Sequence, residues 1–152
     1  MTENEKFMNI ALSEAKIAYK KDEVPIGAVI VYDGKVIAKA HNKREKSKDA
    51  TAHAEILAIR KACKKLKDFR LLNCDIYVTL EPCVMCLGAL LNARVRNIYI
   101  GAPANKEGAI KSEELIERAE LNHKSKVVRG VLEEDCSKLI SEYFLDKRKG
   151  LK

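Results

Sequence analysis

Asp75-Ile76-Tyr77-Val78-Thr79-Leu80-Glu81-Pro82-Cys83-Val84-Met85-Cys86 is the run whose reading decides the fold. Asp75 to Leu80 is short, apolar and rich in β-branched residues, which predicts a buried strand. Pro82 suits the opening of a helix, because its missing N–H is one that a first turn cannot use and its φ is already helical. That helix is expected to run to about Ala93. A strand that breaks directly into a helix is the repeating unit of an α/β layer.

The same alternation continues on both sides. Upstream, Ala52 to Lys67 is helical in composition, with Thr51 placed to cap it. Before it, Ile26 to Tyr32 and Lys35 to Ala40 are β-branched runs separated by Asp33 and Gly34, a hairpin signal. Phe7 to Lys21 spaces Ile10, Leu12, Ala15, Ile17, Ala18 and Tyr19 near the helical period. Downstream, Val95 to Ile100 reads as a strand ended by Gly101, and Pro103 to Gly108 as a polar loop. Ser112 to Ala119 is a short helix capped by Ser112, Lys126 to Val131 a further strand, and a last helix starts near Glu133. With no repeats or linkers, residues 1–152 are expected to form one α/β layered domain.

Composition narrows the class. Hydrophobic residues at 47% and charged residues at 34% exclude a disordered or membrane-embedded chain. Met1 to Lys6 is polar, without the basic-then-apolar order of an export signal, and five cysteines are an odd number for a disulfide framework. Reduced thiols in the cytoplasm are therefore expected. The 29 Lys and Arg against 22 Asp and Glu leave a net charge of +7, which favours approach to a polyanion or simply solvates a lysine-rich surface.

Two motifs carry chemistry: His53-Ala54-Glu55, and Pro82-Cys83-Val84-Met85-Cys86. Cys83 and Cys86 are three apart, so on a helix their sulfurs face the same way and chelate one ion. A helix N-terminus favours their thiolate form. His53 supplies a third, nitrogen donor. Cys63 lies ten residues beyond His53, about 15 Å along a helix, and Cys74 lies roughly 20 Å or more from Cys83 in extended chain. Cys136, His41 and His123 are not excluded by spacing, but none sits in a second chelating pair. Three donors leave one position for water, the arrangement of a catalytic Zn²⁺, with a structural zinc as the alternative. Two thiolates cancel the charge of the ion, so the water is weakly acidified and a neighbouring base is required. Glu55 is the candidate. Together, in this order, the motifs form the zinc-deaminase signature.

Over nearly its whole length the chain resembles the bacterial tRNA-specific adenosine deaminases. The matching segments are Glu23-Val24-Pro25-Ile26-Gly27-Ala28-Val29, His41-Asn42-Lys43-Arg44, Thr51-Ala52-His53-Ala54-Glu55, Thr79 to Cys86, Leu121-Asn122-His123, and Gly130-Val131-Leu132 through Cys136 to Tyr143-Phe144. The resemblance implies a three-layer α/β/α cytidine-deaminase-like fold with a five-stranded mixed sheet. It also implies a homodimer that shares a tRNA anticodon stem-loop, with no protein cofactor and no membrane association. The implied reaction turns the wobble adenosine into inosine. By position, His53, Cys83 and Cys86 hold one Zn²⁺ per subunit, and Glu55 shuttles protons. Asn42 and the Ala54 backbone hold the base edge, Asn122 contacts the flipped nucleotide, and Arg44, Lys106, Lys147 and Arg148 contact tRNA phosphates.

Two departures stand out. Ala104 precedes Asn105 and Lys106 where relatives commonly carry an aspartate two residues before the lysine, and Ala50 stands where many have proline. Two rival readings follow from the shared zinc apparatus: a deaminase of a free base such as guanine or cytosine, and a zinc-stabilised RNA-binding subunit without catalysis. The presence of Glu55 ranks the last lowest.

Overall fold

The computed structural model describes residues 1–104 and 111–150. Thr2 opens α1 (Glu3–Lys20) with a reciprocal cap: its hydroxyl accepts from the Glu5 N–H at 3.1 Å, and Glu5 accepts from the Thr2 N–H at 2.9 Å. The helix thus begins four residues before the apolar period that predicted it, because its first turn is polar and exposed. The predicted hairpin forms as β1 (Gly27–Tyr32) and β2 (Lys35–His41). Asp33 and Gly34 both take positive φ, 51° and 74°, the turn whose twist matches paired strands.

The remaining elements are α2 (Arg44–Ser47), α3 (Ala54–Leu66), β3 (Cys74–Leu80), α4 (Val84–Asn92), β4 (Asn97–Ala102), α5 (Ser112–Ala119), β5 (Lys126–Val128) and α6 (Glu133–Arg148). The short α2 has no apolar period and no signal in the sequence reading. β4 starts two residues later than predicted and β5 ends three residues earlier.

The sheet order is β2-β1-β3-β4-β5, antiparallel across the first three strands and parallel across the last three. The five-stranded mixed sheet expected from the resemblance is therefore present. Alternation along β1 sends Ala28 and Ile30 into one core with Ala54, Ala58 and Ala62 of α3 and Leu87 and Leu90 of α4. Val29 and Val31 join the other core, with Phe7, Met8 and Ala11 of α1 and Cys136 of α6. Two helical layers thus cover the two faces of the sheet. The row Leu80 beside Ala102 marks the carboxyl ends of the parallel strands, where β1 begins in the opposite sense. Such a switch of direction is where an open α/β sheet leaves a crevice.

Gly27 makes this junction possible. A Cβ there would lie 1.9 Å from the Ala11 carbonyl oxygen and 2.7 Å from the Ala15 nitrogen, so α1 touches β1 backbone to backbone. Gly27→Ala is expected to cost about 3 kcal/mol of stability, at the upper end for overpacking because helix backbone cannot rotate aside. Urea unfolding measures this; a midpoint equal to that of the unaltered chain would mean α1 shifts freely.

Candidate metal centre and catalytic carboxylate

Two helix starts converge on the crevice, and each gives up its capping side chain. His53 is the N-cap of α3 and Cys83 the N-cap of α4; both have extended backbone and neither side chain caps its own helix. The predicted cap Thr51 lies two residues before the actual cap of α3, and its hydroxyl donates to Asp49 at 2.7 Å instead. Pro82 likewise stands one residue before the cap rather than inside the helix. Freed from capping, the His53 ring points at the sulfurs. Its Nδ1 is 3.6 Å from Cys83 Sγ and 3.5 Å from Cys86 Sγ. Zn–N and Zn–S bonds at a tetrahedral angle span an edge of about 3.6 Å. The donor types and spacing therefore fit the ion.

Among the described residues, these three are the group of His, Cys, Asp and Glu close enough to hold a metal, their donor atoms all within 4.8 Å of one another. The donors left open by spacing are engaged elsewhere. His41 Nδ1 lies 3.0 Å from Glu14, His123 Nε2 lies 2.8 Å from the Val95 carbonyl, and Cys136 is buried against Gly101 in the second core. Cys63 sits against the Phe69 carbonyl and Cys74 is fully buried in the first core. The trio opens outward: Cys86 is buried, His53 half-buried and Cys83 exposed.

Electrostatics prepare one thiolate. The hydrogen bond from the Cys86 thiol, aided by N–H groups at the start of α4, pulls the Cys83 pKa down to about 5. The same contact, with burial, pushes Cys86 strongly up. Glu55, in the first turn of α3, is only 3% exposed and borders Cys86. Burial raises its pKa to about 7, poised to accept or release a proton near neutrality.

Asn42 follows β2 and is 4% exposed. Its Oδ1 accepts the Ala54 N–H at 2.8 Å, satisfying a donor that α3 leaves unpaired. Asn42 and Ala54 thus lie together at the head of α3, with that N–H committed to Asn42, while Asn42 Nδ2 makes no hydrogen bond among the described residues. Asn122 is not brought to this crevice. It precedes β5, whose Lys126 pairs with Asn97 at the amino end of β4, five residues or about 16 Å from the Leu80–Ala102 row. Arg44 is exposed at the head of α2. Lys147 is engaged, with Nζ 3.0 Å from Asp22 Oδ1 and 5.8 Å from the centre of the Tyr143 ring, whereas Arg148 is exposed. Lys106 lies outside the described residues.

Two carboxylates in the quoted motifs have roles that the sequence reading did not assign. Glu23 accepts the N–H groups of Glu45 and Lys46 at 3.2 and 2.8 Å, and so holds α2 beside the crevice. Glu81 accepts from Ala104 N–H at 3.2 Å, Ser112 N–H at 3.0 Å, the Ser112 hydroxyl at 2.8 Å, and both terminal nitrogens of Arg129. Burial alone would raise its pKa, but these donors hold it at about 2. Ser112 therefore serves Glu81, and Lys111 takes the N-cap of α5 in its place. The signal was an acid set between apolar strand and proline. Arg129→Met leaves the Glu81 carboxylate, two residues before Cys83, with uncharged donors alone and is expected to cost about 2 kcal/mol, discounted for the partial exposure of Arg129. Thermal unfolding of the variant, with Glu81→Gln/Arg129→Met recovering part of the loss, checks it.

Comparison with known proteins gives one consistent group. A family model described as MafB19-like deaminase matches residues 2–149. A tRNA-specific adenosine deaminase of Bacillus subtilis (strain 168) is 47% identical over 98% of this chain and 93% of its own, and one of Aquifex aeolicus (strain VF5) is 45% identical over 97% of each. A solved structure from studies of A-to-I editing by tRNA:A34 deaminases at the wobble position of transfer RNA superposes with a TM-score of 0.83. It is 44% identical and covers 88% of this chain and 98% of that one. The guanine deaminase from Nitrosomonas europaea superposes at 0.80 with 27% identity, over 91% of this chain and 83% of that one.

Proposed function

Because this chain belongs to the family of tRNA-specific adenosine deaminases, we propose that it hydrolyses the wobble adenosine of a tRNA anticodon to inosine, releasing ammonia. The observation that carries the reading is a buried carboxyl, Glu55, beside three soft donors that open outward. His53, Cys83 and Cys86 would hold one Zn²⁺ per chain, which when bound acts as a Lewis acid that eases deprotonation of water.

The residues of the chain do the rest. Glu55 accepts a proton from the water that attacks C6, delivers it to N1 of the ring, and passes the second water proton to the leaving amine. Its burial keeps bulk solvent from competing for those protons. Asn42, oriented through its bond to Ala54, offers Nδ2 to a ring-nitrogen acceptor of the base. Ala54 thus acts through Asn42 rather than on the base directly. Arg44, Lys106 and Arg148 are the proposed phosphate contacts. A homodimer belongs to the same reading, and light scattering at twice 17.1 kDa would show it.

The test is an anticodon stem-loop carrying adenosine at the wobble position, analysed for inosine by mass spectrometry. Inosine is expected, with no uridine from a cytidine-bearing loop and no xanthine from free guanine. Guanine turnover with an unreacted stem-loop would instead favour the free-base reading, which the fold match to a guanine deaminase supports.

A further inference from the structure

The net charge of +7 is not spread over the molecule. Residues 35–70 hold twelve Lys and Arg against four Asp and Glu, an excess of eight, so the rest of the chain balances to −1. These residues are β2, α2 and α3 with the turn that follows, and they form one edge of the fold: β2 is the outer strand and α3 packs on it. The buried residues of α3, including Ala54, Ala58 and Ala62, face the sheet, which leaves Arg60, Lys61, Lys64 and Lys65 exposed on the other side, continued by exposed Lys67.

These cations have little internal purpose. Among the described residues, Arg70 with Asp68 is the one ion pair made by any of the twelve, and Lys61 Nζ donates to the Lys39 carbonyl at 2.8 Å; elsewhere Arg96, Arg118, Lys124, Arg129, Lys138 and Lys147 are paired, while cations such as Lys16, Lys20 and Arg94 are not. Arg60 with Lys64 and Lys61 with Lys65 are like charges one turn apart, which repel. Of the four acids in the stretch, Glu55 is buried, Asp49 binds Thr51, Asp68 binds Arg70, and Glu45 is exposed on α2. The helix dipole accounts for cations in the last turn of α3, but not for Lys39, Lys43, Arg44, Lys46 and Lys48 on the neighbouring elements.

We propose that the β2–α2–α3 edge is a phosphate-binding track that holds the tRNA body while a base occupies the crevice. The inference rests on the tRNA reading above and extends it. The track is continuous with the site: α2 begins two residues after Asn42, and α3 begins directly after His53 and runs about 20 Å away from it. A polyanion with one base in the crevice passes its backbone over these lysines, whereas a short loop engages only the near end.

The test compares Lys64→Gln/Lys65→Gln/Lys67→Gln with a control, Lys16→Gln/Lys20→Gln/Lys21→Gln, which removes three exposed lysines from and beyond α1. Filter binding and deamination are measured on full-length tRNA and on the isolated anticodon stem-loop, from low to moderate salt. The α3 variant is expected to bind full-length tRNA about tenfold more weakly with kcat unchanged. The slope of log K against log salt should be smaller by about two, at 0.7–0.9 per lost phosphate contact. The stem-loop should shift less than threefold. Equal losses in the two triple variants, or an unchanged slope, would overturn the track. So would loss of binding to vesicles containing phosphatidylserine with tRNA binding intact. Binding is read whether or not inosine forms, so failure of the deamination assay counts against the proposed function and leaves the track to be judged by its affinities.

Discussion

Glu55→Gln is expected to retain one zinc per chain while inosine formation falls by about 10²–10⁴, the usual share of a positioned acid–base group. The substitution keeps shape and volume, so the first turn of α3 stays packed. An amide cannot take a proton from water and pass it to N1, so only the transfer is removed. Burial already pushes Glu55 toward its neutral form, with a pKa of about 7, so a neutral amide there should leave stability equal or raise it. Metal analysis, thermal unfolding and single-turnover rates together isolate the proton step. A rate within a few-fold of the unaltered chain would remove Glu55 from the mechanism.

The second large effect concerns the ligand set itself. Cys86→Ala leaves His53 with an exposed Cys83 and is expected to weaken zinc binding by more than about 100-fold, beyond the loss typical of residues that merely support a ligand. Competition with a chromogenic chelator measures it. Because an ion bound only by the folded chain stabilises it by mass action, added zinc should raise the unfolding temperature of the unaltered protein and not that of the variant. Inosine formation should vanish with the metal. Zinc held at full affinity by Cys86→Ala would mean that these three side chains are not the site.

Much of this is legible in the sequence alone. The β1–β2 hairpin followed from Asp33-Gly34 between β-branched runs, and the identity of the three donors from their types and order. Period and spacing report what each residue does alone or with a near neighbour, and those signals survive without a fold. The caps were misread for the same reason. Thr51 and Ser112 are good cap residues locally, but Asn42 binds the start of α3 from twelve residues away and Glu81 draws Ser112 from thirty-one residues away.

Donor chemistry, the order of the elements other than α2, and the α/β layering were thus written in the sequence itself, because they depend on residue type and short-range period. Tertiary structure alone decided that Ala54 is spent on Asn42, that Glu23 and Glu81 fasten the segments around the crevice, that Lys147 is tied to Asp22, and that the positive charge gathers on one edge. Each of these is set by which distant groups meet, and a buried carboxylate takes whichever N–H or guanidinium the packing delivers to it.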